Sequence, residues 1–156
     1  MVTAEAERLF VRFHAARLDA MAEVFGDLEV MRFGPARSRE TGSRDGCVGV
    51  RRITYHKWAG GLWAVVHKSD GRVIGFCRLT RFDDVDGRPE IEIGYRLARA
   101  FWGCGLATEA AGAARDYAFC VLVLPRLVSI IDPLNVASVR VVTVVSDFFH
   151  EVARTY

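Results

Sequence analysis

The stretch Phe101-Trp102-Gly103-Cys104-Gly105-Leu106-Ala107-Thr108-Glu109-Ala110 decides how this 156-residue chain is read. Gly103 and Gly105 stand immediately before an alanine-rich run that favours helix. Upstream, Glu90-Ile91-Glu92-Ile93-Gly94-Tyr95-Arg96-Leu97 alternates as a strand does. Ile91, Ile93 and Tyr95 fall on one face, and Glu90, Glu92 and Gly94 on the other. A strand, a glycine turn and a helix start, in that order, make an anion site. The first amides of a helix lack intrahelical partners, and the helix dipole favours negative charge there. Glycine adds positive φ and lets a ligand approach the backbone. Taken alone, a Gly-x-Gly turn is more often only a tight turn.

Working outward, Leu127 to Ile131 reads as a short buried strand and Asp132-Pro133 as a turn. Asn135 stands where a helix N-cap belongs, with Ser138 at the third helical position. Before the central stretch, Leu62 to Lys68 and Val73 to Phe82 read as a hairpin turning at Ser69-Asp70-Gly71-Arg72. Asp83 to Arg88 is expected to be a polar turn, Pro89 to Leu97 the next strand, and Gly105 to about Leu122 a helix. At the N-terminal end, Arg8 to His14 alternates as a strand, Ala15 to Phe25 has helical spacing, and Leu28 to Phe33 is expected to add a short helical piece. Ala36 to Trp58 is rich in arginine and poor in periodicity, and suggests a basic flap. Val139 to Val145 holds five valines, a composition that prefers strand.

Composition sets the outer limits. With 51% apolar residues the chain is expected to form one domain, residues 1–156, with a substantial core. The formal net charge of +2 is too small to make nucleic acid an expected partner. Cys47, Cys77, Cys104 and Cys120 are scattered, and no histidine completes a zinc site, so no metal is expected and reduced thiols in the cytoplasm are the plain reading. No signal peptide is evident, and the longest apolar run is too short to span a bilayer, so no membrane partner is expected.

The ordered motifs Glu92-Ile93-Gly94-Tyr95-Arg96-Leu97, Trp102-Gly103-x-Gly105-Leu106-Ala107-Thr108-Glu109-Ala110 and Asp132-Pro133-Leu134-Asn135-Val136-Ala137-Ser138 resemble the GNAT N-acetyltransferase superfamily. The likeness is to the branch containing ribosomal-protein-alanine acetyltransferases. Glu7-Arg8-Leu9-Phe10-Val11-Arg12 and Glu29-Val30-Met31-Arg32-Phe33 fit its opening elements, so the resemblance runs from about Glu7 to Arg140. It implies an α/β (α+β) fold with a mixed, mostly antiparallel sheet flanked by helices. It also implies a helix over the valine-rich segment and further C-terminal strands. The chain has room for only one such strand, so the last strand is expected to be missing or supplied by a partner subunit in a homodimer.

The resemblance further implies an acyltransferase that moves acetyl from acetyl-CoA directly to a primary amine, on a protein N-terminus or a small molecule. The backbone of Ile93, Gly94, Tyr95, Arg96 and Leu97 would pair with the pantetheine arm. Gly103, Cys104, Gly105, Leu106, Ala107 and Thr108 would cradle the pyrophosphate. Cys104 stands where the family usually has a basic residue, and Arg99 is a nearby substitute. Glu92 is the candidate proton acceptor, with Glu90 next, although either would serve equally as a solvent-facing charge. Asn135 would contact the cofactor arm and Ser138 could protonate the CoA thiolate, yet helix capping explains both residues equally well. Tyr95, Trp63 and Trp102 read as core aromatics. The rival reading is a degenerate domain that binds acyl-CoA or only dimerises, which Cys104 and the short C-terminal end favour. A nucleic-acid binder would have to rely on the arginines between Arg37 and Arg52.

Overall fold

The computed structural model describes residues 2–12, 18–33, 61–145 and 149–153. The basic flap expected over Ala36 to Trp58, with its arginines, lies outside the described residues, as do Cys47 and His14. Among the described residues seven strands form one sheet in sequence order: β1 (Val2–Glu5), β2 (Leu9–Arg12), β3 (Leu62–His67), β4 (Val73–Val85), β5 (Arg88–Leu97), β6 (Leu127–Ile131) and β7 (Phe149–Ala153). Neighbours are antiparallel from β1 to β5, and β5–β6 and β6–β7 are parallel. The sheet is therefore mixed and mostly antiparallel, as the resemblance implies. Helix α1 (Leu18–Gly26) follows β2, α2 (Leu106–Asp116) carries the chain from β5 to β6, and α3 (Val136–Val145) carries it from β6 to β7.

Two apolar layers cover the two sheet faces. On one, Leu9, Val11, Trp63, Val65, Ile74, Cys77, Leu79, Ile93 and Leu97 pack against Leu106, Ala110, Ala111, Ala113 and Ala114 of α2. Alanine keeps the helix close to the sheet, and Trp63, fully buried, fills the space with its ring edge-on to Tyr117. Burial pushes the Cys77 thiol up to about 12, so it behaves as a small apolar side chain. On the other face, Met21 and Val24 of α1 and Val30 of the following turn pack against Ala64, Val66 and Phe76.

Several local expectations need correction. Leu28–Phe33 is a pair of turns rather than a helix, because Asp27 Oδ1 takes the amide of Glu29 and holds the chain in an Asx turn. Strand β4 continues to Val85, so the polar turn contracts to Asp86-Gly87. Both residues have positive φ, 52° and 86°, which is the hairpin geometry that matches strand twist. The helix after Gly105 is α-helical only to Asp116, and Tyr117–Val121 forms a π turn. The valine-rich segment is helical against its composition. Asn135 caps it, Thr143 Oγ1 donates to the Val139 carbonyl at 2.9 Å, and Val142 and Val145 gain burial. The one C-terminal strand that fits is β7, in parallel register with β6 from Leu127–Phe149 to Ile131–Ala153.

Candidate functional site

Strand β5 organises the site. Its ladder with β4 runs without a break from Arg81–Ile91 to Gly75–Leu97. Its ladder with β6 consists of one registered pair, Glu92–Val128, reinforced by Ser129 Oγ donating to the Ile93 carbonyl at 3.3 Å. Beyond that pair no register joins Ile93–Leu97 to β6. The five residues expected to meet the pantetheine arm thus form the stretch where the two parallel strands cease to pair. Trp102 Nε1 donates to the Leu97 carbonyl at 2.7 Å and closes the end of this stretch. Its ring is 49% exposed, so Trp102 is a surface aromatic at the mouth and not the core residue expected.

The turn that follows has the geometry of an anion cradle. Gly103 and Gly105 have φ of 73° and 77°, and Gly105 caps α2 from the left-handed region with no side-chain hydrogen bond. The first internal bond of the helix is Glu109 N–H to the Gly105 carbonyl, which leaves the amides of Leu106, Ala107 and Thr108 without an intrahelical acceptor. Gly103 and Cys104 are exposed in the turn, and the Cys104 thiol faces only the Trp102 carbonyl, at 3.4 Å.

The cation beside this turn is one that motif reading passed over. Arg8 Nη2 donates to the Cys104 carbonyl at 2.9 Å, and Arg8 Nε donates to Glu109 Oε1 at 2.5 Å. The Arg8 backbone amide adds a bond to Glu109 Oε2 at 3.0 Å. Glu109 sits in the first turn of α2, where the dipole favours a carboxylate, and it fastens the start of β2 to the cradle. Arg99, the expected substitute, is instead paired with Asp27 at 2.8 Å. In sequence the only hint of Arg8 was its place in the opening motif, a hundred residues from the turn.

Glu92 lies on the opposite face of β5 from the main core and is 5% exposed, so the solvent-facing reading is wrong. Arg78 Nη2 bonds Oε2 at 2.9 Å, and the Ile130 amide on β6 donates to the same carboxylate. Burial pushes the Glu92 carboxyl above the usual carboxylate range, against the opposing pull of Arg78, the Ile130 amide and Arg96. Gly94 is glycine for a local reason: an added Cβ would lie 2.8 Å from Arg78 Nε, because the Arg78 side chain crosses Gly94 to reach Glu92. Glu90 is also buried, at 4%. Its Oε1 lies 2.8 Å from both Arg88 Nε and Arg126 Nη2, a double pairing that leaves it less suited than Glu92 to accept a proton.

The second motif places polar groups near the same strand. Asn135 Oδ1 accepts the Ser138 amide at 3.2 Å, the N-cap arrangement, and its own amide donates to the Asp132 carbonyl at 2.8 Å. The Tyr95 hydroxyl donates to the Ser138 carbonyl at 3.2 Å, so α3 is anchored to β5 beside the unpaired stretch. The Ser138 hydroxyl has no hydrogen bond among the described residues. Arg140 is exposed. Among the described residues no group of three or more His, Cys, Asp or Glu is placed to hold a metal, and no helix is long and apolar enough to cross a membrane.

With this geometry in hand, comparison with known proteins is decisive. Residues 8–145 match the model of the acetyltransferase (GNAT) domain. The chain belongs to the GNAT family. An uncharacterized N-acetyltransferase, p20, of Bacillus licheniformis is 36% identical over 84 residues, 54% of this chain and 46% of that protein. The chain spans about half the length of the curated relatives it matches. An acetyltransferase from Agrobacterium tumefaciens superposes with a TM-score of 0.76 at 27% identity, covering 91% of this GNAT chain and 81% of its own. The fold also matches spermidine N-acetyltransferase from Vibrio cholerae in complex with CoA and spermine, with a TM-score of 0.72 at 19% identity, over 89% of this chain and 80% of that one.

Proposed function

We propose that the chain is an acetyl-CoA-dependent N-acetyltransferase that moves acetyl to a primary amine in one direct step. The observation that carries this reading is the junction of β5 and α2. An unpaired strand stretch runs into two left-handed glycines and three open helix amides, and a buried carboxyl sits on the same strand.

In this reading the amides of Leu106, Ala107 and Thr108 hold the CoA pyrophosphate, with Gly103, Cys104 and Gly105 shaping the turn and Arg8 close by. The backbone of Ile93 to Leu97 pairs with the pantetheine arm and offers an N–H to the developing oxyanion. Asn135 lies beside the arm. Glu92, buried and raised, takes a proton from the incoming ammonium, directly or through water. The free amine nitrogen attacks the thioester carbonyl carbon, the carbon–sulfur bond breaks, and the amide forms. The leaving thiolate takes up the proton that the attacking nitrogen loses as the amide forms, and the Ser138 hydroxyl on α3 is the candidate to relay it. No metal enters the scheme.

Support for an amine acceptor comes from the family and from the two named relatives, p20 and the spermidine enzyme, each called an N-acetyltransferase. The test is release of free CoA thiol from acetyl-CoA on adding primary amines, with the acetylated product identified by mass. Amine-dependent thiol release supports the reading. A folded protein that binds acetyl-CoA and releases no thiol with any amine would replace it with a non-catalytic acyl-CoA-binding domain.

A further inference from the structure

The α1-facing side of the sheet holds more positive charge than its described partners balance. Arg12 lies opposite Ala64, Ala64 opposite Phe76, and Phe76 opposite Arg96, so one row of side chains joins Arg12 to Arg96 across four strands. Arg78, opposite Gly94, stands one pleat further along, between Arg96 and Glu92. Among the described side chains of this face, Glu92 is the carboxylate that meets them, since Glu90 is held by Arg88 and Arg126. Arg78 takes Glu92. Among the described residues the hydrogen bond of Arg96 runs from Nη1 to the thioether sulfur of Met31, at 2.8 Å, a weak acceptor for a guanidinium, and Glu92 is the counter-charge it shares with Arg78. Arg12 Nε is buried with no hydrogen-bond partner among the described residues.

Guanidinium groups withdrawn from water require counter-charge or strong acceptors. Burial, and after it the neighbouring charge of Arg78, pushes the Arg96 guanidinium down, with Glu92 pulling the other way. The Arg78 side chain retains 36% of its exposure against 7% for Glu92, so the cluster is reached from solvent past Arg78.

We propose that the acceptor amine also carries an oxyanion, a carboxylate or a phosphate, which Arg96 and Arg78 bind while the nitrogen lies towards Glu92. This deepens the acetyltransferase reading and rests on it for the role of Glu92. An oxyanion matches the planar donors of two guanidiniums and supplies the charge that Met31 cannot. The same cluster repels a polycation, so acceptors of the spermidine type are selected against.

The experiment is calorimetric titration, with and without saturating CoA, of two matched pairs: 4-aminobutyrate against n-butylamine, and phosphoethanolamine against ethanolamine. Spermidine is the cationic control. The oxyanion-bearing member of at least one pair binds about 10- to 100-fold more tightly than its partner, and which pair does so separates carboxylate from phosphate. Arg96→Met collapses that ratio towards one, and Arg96→Lys, which keeps the charge without the fork, restores part of it. Equal affinity within both pairs, tighter binding of spermidine, or a ratio that survives Arg96→Met in a protein with unchanged circular dichroism would overturn the proposal. Thiol release keeps the two readings apart. An oxyanion preference without acetyl transfer removes the enzyme and keeps the subsite, whereas equal transfer within both pairs removes the subsite and keeps the enzyme.

Discussion

At the α2 end of β5 the candidate site is made of backbone, and at the Glu92 end it is made of side chains. The cradle relies on the amides of Leu106 to Thr108 and the left-handed glycines before them. It tolerates Cys104 because backbone donors need no particular side chain. The Glu92 end depends on Arg78 from β4, Glu92 and Arg96 from β5 and the Ile130 amide from β6, and each is fixed by strand register. A contiguous motif can specify the first kind of site. The second exists only once separate strands have paired.

Glu92→Gln breaks this comparison most sharply. It should lower the amine-dependent rate by about 10²- to 10⁴-fold while acetyl-CoA affinity stays close to that of the native chain. Because burial raises the Glu92 carboxyl, the acid limb of the native rate profile should lie above the ordinary carboxylate range, with activity rising as Glu92 loses its proton. Glutamine should abolish that limb. A native-like rate and profile in the variant would show that another group accepts the proton.

Arg8→Met is the smaller test, aimed at the backbone end. It removes the donor to the Cys104 carbonyl and frees the Glu109 carboxylate beside the cradle. Since the Arg8 side chain is 45% exposed, water screens the loss, and acetyl-CoA should bind about two- to fivefold more weakly with the acceptor preference unchanged. An altered acceptor preference would mean that the two ends are not independent.

The sequence made one end of this comparison far more legible than the other. Glycine spacing located the left-handed turn before α2, and strand alternation put Ile91, Ile93 and Tyr95 on the core face, because both signals are local. Alternation could not show that the second face of β5 is covered as well, which is why a solvent-facing charge stands as an equal alternative to proton acceptor for Glu90 and Glu92. Arg8 escaped notice because it lies about a hundred residues from Glu109 and meets it only through packing. The valines of α3 pointed to strand by propensity, and capping by Asn135 with burial of Val142 and Val145 overrode them. The roles of Asn135 and Ser138 stay open for a related reason: the cap is real, and it occupies the Asn135 oxygen while the Ser138 hydroxyl has no hydrogen bond among the described residues.

The most direct measurement is calorimetric titration of acetyl-CoA into the native chain and into Gly105→Val. Valine at a φ of 77° is strained, and its Cβ would meet Arg8 Nη2 at 3.4 Å, so the turn that aims the amides would be lost while the core is untouched. The cradle account predicts binding near ~1 μM for the native protein, about −8 kcal/mol, and no measurable binding for the folded variant. Equal affinity in both, or no binding by the native chain, would contradict it.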